Sequence, residues 1–250
     1  MERLALLAVT AHPGDEIAVA GTLAQHARGG VHVALICATE GAGEEQQCDL
    51  RCACDRLGIA ELYFLGYHPS EASTGTAMDE PGTLLHASAR DVVRRIVYRI
   101  RDIRPQVMIT FGPRGLDGHV DHIAIGQLTT QAFGAAADLG QFPRDGGPAP
   151  FAPAKLYYFG LPDGLLQLAG LPPQGTPDEE FRARRDVSQF VDLKIEAARC
   201  YRTLNEGLNR LLELQAAERR HLLSVEFLSL AQPQPGVEDA RDPHLFAGVP

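Results

Sequence analysis

Met1-Glu2-Arg3-Leu4-Ala5-Leu6-Leu7-Ala8-Val9-Thr10 runs without a break into Ala11-His12-Pro13-Gly14-Asp15-Glu16. The first ten residues read as a buried strand and the next six as a polar loop at its carboxyl end. In an open α/β sheet, ligands sit outside the carboxyl ends of the strands, so His12 and Asp15 are expected over the crevice. Imidazole and carboxylate are zinc ligands, and two of them three residues apart at a strand-to-helix corner can converge on one ion. Two ligands are not enough for a catalytic site, which takes three from the protein.

The missing partners are offered by a second apolar run, Val107 to Thr110, which leads into Phe111-Gly112-Pro113-Arg114-Gly115-Leu116-Asp117-Gly118-His119-Val120-Asp121-His122. Either cluster alone is a weak signal, because a lone His-x-x-Asp is more often a cap or a core hydrogen bond. The pair, each following a strand and preceding a helix, favours metal-assisted chemistry. His119 is placed to hydrogen-bond an oxyanion or a leaving amine, and Asp121 to hold the His119 ring in the required tautomer. With residues 119 to 122 in the first turn of a helix, the helix amino end would also stabilise negative charge.

The rest of the chain alternates between helical and strand periods. Helices are expected over Ile17–Gly29, Glu44–Leu57, Ala87–Arg104, Val120–Leu139 and Phe190–Leu214. Strands are expected over Val31–Cys37, Leu62–Leu65, Leu156–Phe159 and, at an edge, Val225–Leu230. That alternation indicates an α/β class with a Rossmann-like open, mostly parallel sheet and helices on both faces. One domain spanning 1–230 with a Pro-rich tail over 231–250 is the expected organisation. The unpatterned stretch 66 to 85 is long enough to suspect of function, but His68 and Asp79 within it read more simply as solvated loop residues.

A net charge of −9 with only two lysines, Lys155 and Lys194, argues against a nucleic-acid partner. The arginines between 94 and 104 read as the solvated face of an amphipathic helix. Met1 to Ala11 is too short for a membrane span. Five cysteines, an odd number, do not describe a disulfide framework. They read as structural thiols, Cys37 as a core residue, in a reducing cytoplasm. Self-association into a homo-oligomer is left open.

Ala11 to Glu16 resembles the AHPDDE motif, and His119 to His122 the HxDH motif, of the LmbE-like (PIG-L) zinc-dependent N-deacetylases. The similarity extends through Ala20-Gly21-Thr22-Leu23 and Arg104-Pro105 and covers most of residues 1 to 200. The resemblance implies Zn²⁺ held by His12, Asp15 and His122, with His119 and Asp121 as catalytic residues. It also implies hydrolysis of the N-acetyl group of an N-acetylglucosamine-type substrate, a small acetylated amino sugar or conjugate. The chain departs from the family where the first aspartate of the motif becomes Gly14, the position assigned to the general base. Gln46 stands where the family has an arginine before an acid, here Asp49. Tyr201 and Leu204 align loosely with a family His and Gln.

Three explanations of Gly14 stay open at this point: a metal-binding paralogue with little turnover, a substitute base among Glu16, Asp121 and Glu40, or altered chemistry. An acidic rim at Glu40, Glu44 and Glu45 suits a neutral or cationic sugar. A binding module that holds an acetylated sugar or thiol-sugar conjugate without turnover is the alternative function. A nucleotide-binding protein is disfavoured by the absence of G-x-G-x-x-G and P-loop motifs, and a serine hydrolase by the absence of G-x-S-x-G.

Overall fold

The computed structural model describes residues 3–41, 43–70, 81–143, 147–168, 175–181, 183–202, 209, 212–233 and 244–249. Seven strands form one sheet in the order β3-β2-β1-β4-β5-β7-β6. These are β1 (Ala5–Thr10), β2 (His32–Thr39), β3 (Glu61–Tyr67), β4 (Val107–Phe111), β5 (Lys155–Phe159), β6 (Ala183–Asp186) and β7 (Val225–Pro233). The first five run parallel, and β7 is antiparallel to both its neighbours. Every residue of β1 and of β4 is buried, as parallel strands covered on both faces require.

The helices are α1 (Ala20–Arg28), α2 (Glu44–Leu57), α3 (Ala89–Ile103), α4 (Val120–Ala135), α5 (Asp163–Leu168), α6 (Val191–Ala198) and α7 (Ala216–Leu223). Packing divides the main ones into two groups, α1 with α2 and α6, and α3 with α4. The stripe expected on α3 is present, with Val92, Val93, Ile96, Val97 and Ile100 all buried in the one large core cluster.

Several expectations are corrected. The helix read from Phe190 to Leu214 ends at Ala198, since the chain turns at Arg199 to Arg202; Leu204, Leu208 and Leu211 lie outside the described residues. The strand placed at an edge, β7, is interior, and the edge belongs to the short charged strand β6. Residues 15 to 19 form a 3₁₀ turn before α1 begins. Arg101, read as part of a solvated face, is buried and donates to the carbonyls of Ala135, Ala136, Asp138, Gln141 and Phe142 at the end of α4. Cys52 of α2 is disulfide-bonded to Cys200, so the reading of all five cysteines as thiols fails for this pair. Cys37, Cys48 and Cys54 are free, and Cys37 is fully buried as expected.

Both lysines are buried. Lys194 pairs with Glu226 at 2.5 Å, and Glu226 also accepts the Gly21 and Thr22 amides at the start of α1. A carboxylate there satisfies otherwise orphaned helix donors and ties β7 to the helix that follows the first loop. Lys155 donates to the Ala247 carbonyl, and Leu245 is buried, so residues 244–249 return to the core. Among the described residues no helix is long and apolar enough to cross a membrane.

Candidate metal centre

Strand β1 has β2 on one side and β4 on the other, so the chain leaves it in one direction and returns on the other side. This is the reversal point at which α/β sheets open a crevice. The loop leaving β1 and the loop leaving β4 therefore meet, although 110 residues separate His12 from His122.

The first loop folds on itself. Asp15 Oδ2 accepts the backbone amides of Ala11 at 3.1 Å and His12 at 2.7 Å, which leaves Oδ1 facing outward. Gly14 closes the turn at φ 104° and ψ −22°, a region that L-residues rarely adopt. An L-residue such as aspartate at this position would be strained in this turn.

From the second loop, His122 brings Nε2 to 3.2 Å from His12 Nδ1 and 3.3 Å from Asp15 Oδ1, and His12 Nδ1 is 3.7 Å from Asp15 Oδ2. Ligands bound at ~2.0–2.1 Å in a tetrahedron lie ~3.3–3.4 Å apart, and His122 Nε2 stands at that spacing from both His12 Nδ1 and Asp15 Oδ1. The outward nitrogens are tied down as well: His12 Nε2 meets Asp121 Oδ2 at 2.9 Å, and His122 Nδ1 meets Asp117 Oδ1 at 3.0 Å. With the rings neutral, each carboxylate would take the ring N–H and leave the lone pair of the other nitrogen aimed inward, the arrangement that metal-binding histidines use. Phe111 stacks on the His122 ring at 4.4 Å and 12°.

His119 is the third imidazole of the cluster, its ligand nitrogen lying within 4.8 Å of those of His12 and His122. This is a looser set than His12–Asp15–His122. His119 caps α4, its Nδ1 accepting the Asp121 amide at 3.1 Å. The neutral ring therefore carries its proton on Nε2 and can donate from there. Asp121, expected to hold the His119 ring, instead holds His12 with its carboxylate and accepts the Ser70 amide at 2.7 Å. The spacing H-x-D-H gave no sign of which ring the carboxylate would meet.

Asp117 was missed. It sits five residues before His122, and the loop can bring it back because Gly115, at φ 68°, passes so close that a Cβ there would lie 2.7 Å from His122 Cβ. Of the proposed substitute bases, Glu16 is buried beneath the loop, accepting from the Gly14 amide at 2.9 Å and the Tyr201 hydroxyl at 2.6 Å, and Asp121 is fully buried against His12. Glu45 of the expected acidic rim pairs with Arg202, which also approaches Asp49. Asp79 lies outside the described residues.

The electrostatics follow from these contacts. Burial opposes charge on Asp15, but His122, His12 and the backbone donors outweigh it and hold the carboxyl at about 2. Burial likewise opposes charge on His122, yet Asp15 and Asp117 push it up to about 10. Burial, with His12 and His122 beside it, keeps His119 below the ordinary histidine value. Burial pushes Glu16 up to about 7 despite the bonds from Tyr201 and Gly14.

Comparison with known proteins identifies the family. Residues 7–133 match the family model PIG-L, described as GlcNAc-PI de-N-acetylase. A 1D-myo-inositol 2-acetamido-2-deoxy-alpha-D-glucopyranoside deacetylase of Salinispora arenicola is 30% identical, covering 98% of this chain and 91% of its own. Among solved structures, N,N'-diacetylchitobiose deacetylase from Pyrococcus horikoshii superposes with a TM-score of 0.68 at 17% identity, covering 92% of this chain and 84% of that one. The 4-carboxy-2-hydroxymuconate hydratase GalB from Pseudomonas putida superposes at 0.66 and 19% identity, covering 95% of this chain and 100% of that one. Both motifs named from the sequence lie inside the matched span, and the chain belongs to the PIG-L family.

Proposed function

We propose that the chain is a zinc-dependent N-deacetylase acting on an N-acetylglucosamine-type sugar, with an N-acetylglucosaminyl inositol as the first substrate to test. The observation that carries this reading is the convergence of His12 Nδ1, Asp15 and His122 Nε2 at 3.2 to 3.7 Å, with both rings held from behind by Asp121 and Asp117. The full-length similarity to sugar deacetylases supports the substrate class.

His12, Asp15 and His122 would hold the ion. Zinc in such a site acidifies a water and polarises the amide carbonyl. His119, neutral and protonated on Nε2, donates to the acetamide oxygen as it gains negative charge. Asp121 and Asp117 fix the tautomers of the two ligand rings. The amino end of α4 faces the same point and favours the developing anion.

The step left without its usual agent is proton removal from the attacking water. The family's aspartate is Gly14, Glu16 and Asp121 are both committed elsewhere, and of the three substitutes only Glu40 stays open. A missing general base lowers the rate by ~10²–10⁴-fold, so slow turnover is the expected property. The test is acetate release from 1D-myo-inositol 2-acetamido-2-deoxy-alpha-D-glucopyranoside by zinc-loaded protein, beside His122→Ala. Slow release that requires zinc and His122 supports the reading. Tight substrate binding with no acetate would favour the alternative, a sugar-binding member without turnover.

A further inference from the structure

The disulfide between Cys52 and Cys200 joins α2 to the segment just after α6. The three residues beginning at Cys200 each reach a different part of the first loop's surroundings. Cys200 is bonded to α2. The Tyr201 hydroxyl donates to Glu16 Oε1 at 2.6 Å, and Glu16 Oε2 in turn accepts the Gly14 amide at 2.9 Å. The Arg202 amide donates to Asp49 at 3.1 Å, and its guanidinium lies 3.0 Å from Glu45.

Tyr201 and Glu16 are both buried, so these two hydrogen bonds form without competition from water. Gly14 lies between His12 and Asp15 in the chain. A continuous connection therefore runs from the disulfide through Tyr201 and Glu16 to the turn that sets two of the three proposed metal ligands. α6 ends at Ala198, and although the Cys200 and Tyr201 amides still donate to the Ala197 and Ala198 carbonyls, the disulfide is the covalent tie between this segment and α2. Both cysteines are only half buried, within reach of a small thiol in solution.

We infer that Tyr201 is a positioning residue for the metal loop, and that the Cys52–Cys200 bond makes this positioning depend on redox state. With the bond intact, Tyr201 is held against Glu16 and the loop keeps His12 and Asp15 facing His122. Reduction by a dithiol or low-molecular-weight thiol transfers two electrons: the S–S bond breaks, each sulfur takes a proton, and the reductant leaves as its own disulfide. The segment is then released and the loop loses its support. This inference rests on the metal-site reading given above.

The test uses the full chain and measures zinc affinity by competition with a chromogenic chelator, alongside a count of thiols alkylated after denaturation. Reduction should raise the count from three to five and weaken zinc binding by about tenfold, the low end of what loss of a supporting contact does at a metal site. The Cys52→Ser/Cys200→Ser variant should bind zinc at that weaker level and ignore the reductant. Tyr201→Phe, with its disulfide intact, should show the same weakening, and its kcat should fall while KM holds. Equal zinc affinity in the oxidised and reduced wild type, or in Tyr201→Phe and wild type, overturns the inference while leaving the metal site standing. If reduction unfolds the chain, as circular dichroism would show, the Tyr201→Phe result decides alone. Failure of oxidised wild type to bind zinc at all sinks the metal reading and this inference together.

Discussion

His12 offers Nδ1 and His122 offers Nε2 to the same point, and the difference follows from which side each loop approaches and which carboxylate stands behind the ring. Without metal, the Asp15 and Asp117 carboxylates keep His122 protonated up to about 10. A cation can bind there only by displacing that proton. Zinc binding at pH 7.5 should therefore release about one proton, and affinity should rise steadily with pH; titration calorimetry in buffers of different ionisation enthalpy reads the number. Binding with no buffer dependence would mean that His122 is not a ligand. Glu16 gives a second prediction with the opposite sense. Its carboxyl stands at about 7 in the fold against 4.5 ordinarily, so the folded state keeps a proton that the unfolded chain gives up. Below pH 4.5 this costs nothing; between 4.5 and 7 stability falls as pH rises, and above 7 the loss is complete, at about 3 kcal/mol. In the metal-free protein, Glu16→Gln should match wild type near pH 4 and be the more stable near pH 8, by urea denaturation. Parallel pH profiles would contradict the burial argument.

Helix α4 carries His119, Asp121 and His122 in its first turn, and its distance from β4 sets where they stand. Gly126 makes that distance short: a Cβ there would meet the Phe111 carbonyl oxygen at 2.6 Å. Gly126→Ala should push the helix outward, costing about 1–3 kcal/mol by overpacking against about 1 kcal/mol of helix propensity gained, and should weaken zinc binding in the folded variant. Gly134→Ala on the same helix meets nothing within 4 Å and should gain up to about 1 kcal/mol. Thermal melts with and without zinc separate the two; equal effects would mean that α4 does not rest on Gly126. Elements with an uninterrupted period were legible in the sequence, β1 and β4 from their apolar runs and α3 from its stripe. β6 was not, because Ala-Arg-Arg-Asp carries no strand pattern and is drawn into the sheet by β7. The helix read to Leu214 was overextended because leucines continue at helical spacing beyond Ala198, whereas Cys200 and Tyr201 are used for contacts with α2 and Glu16. Within the candidate site, strand ends pointed to His12, Asp15, His119 and His122, which the fold brings together. The partner of Asp121 and the role of Asp117 depend on how side chains turn within a loop, which spacing does not encode.

At the scale of the molecule, the sheet order places the two loops side by side, and the C-terminal third braces them. Glu226 on β7 holds the start of α1, and Tyr201 after α6 holds Glu16. The same fold in GalB, a hydratase, shows that the architecture does not fix the chemistry, so function has to be argued from the site. The central claim is that His12 Nδ1, Asp15 Oδ1 and His122 Nε2 hold one zinc ion. A crystal of the zinc-loaded protein, with anomalous differences recorded on either side of the zinc edge, tests it most directly. The account predicts one strong peak ~2.0–2.2 Å from each of those three atoms, with Asp121 and Asp117 still bonded to the outer nitrogens. A zinc peak bound through His12 Nε2, or placed away from the two strand ends, would contradict it.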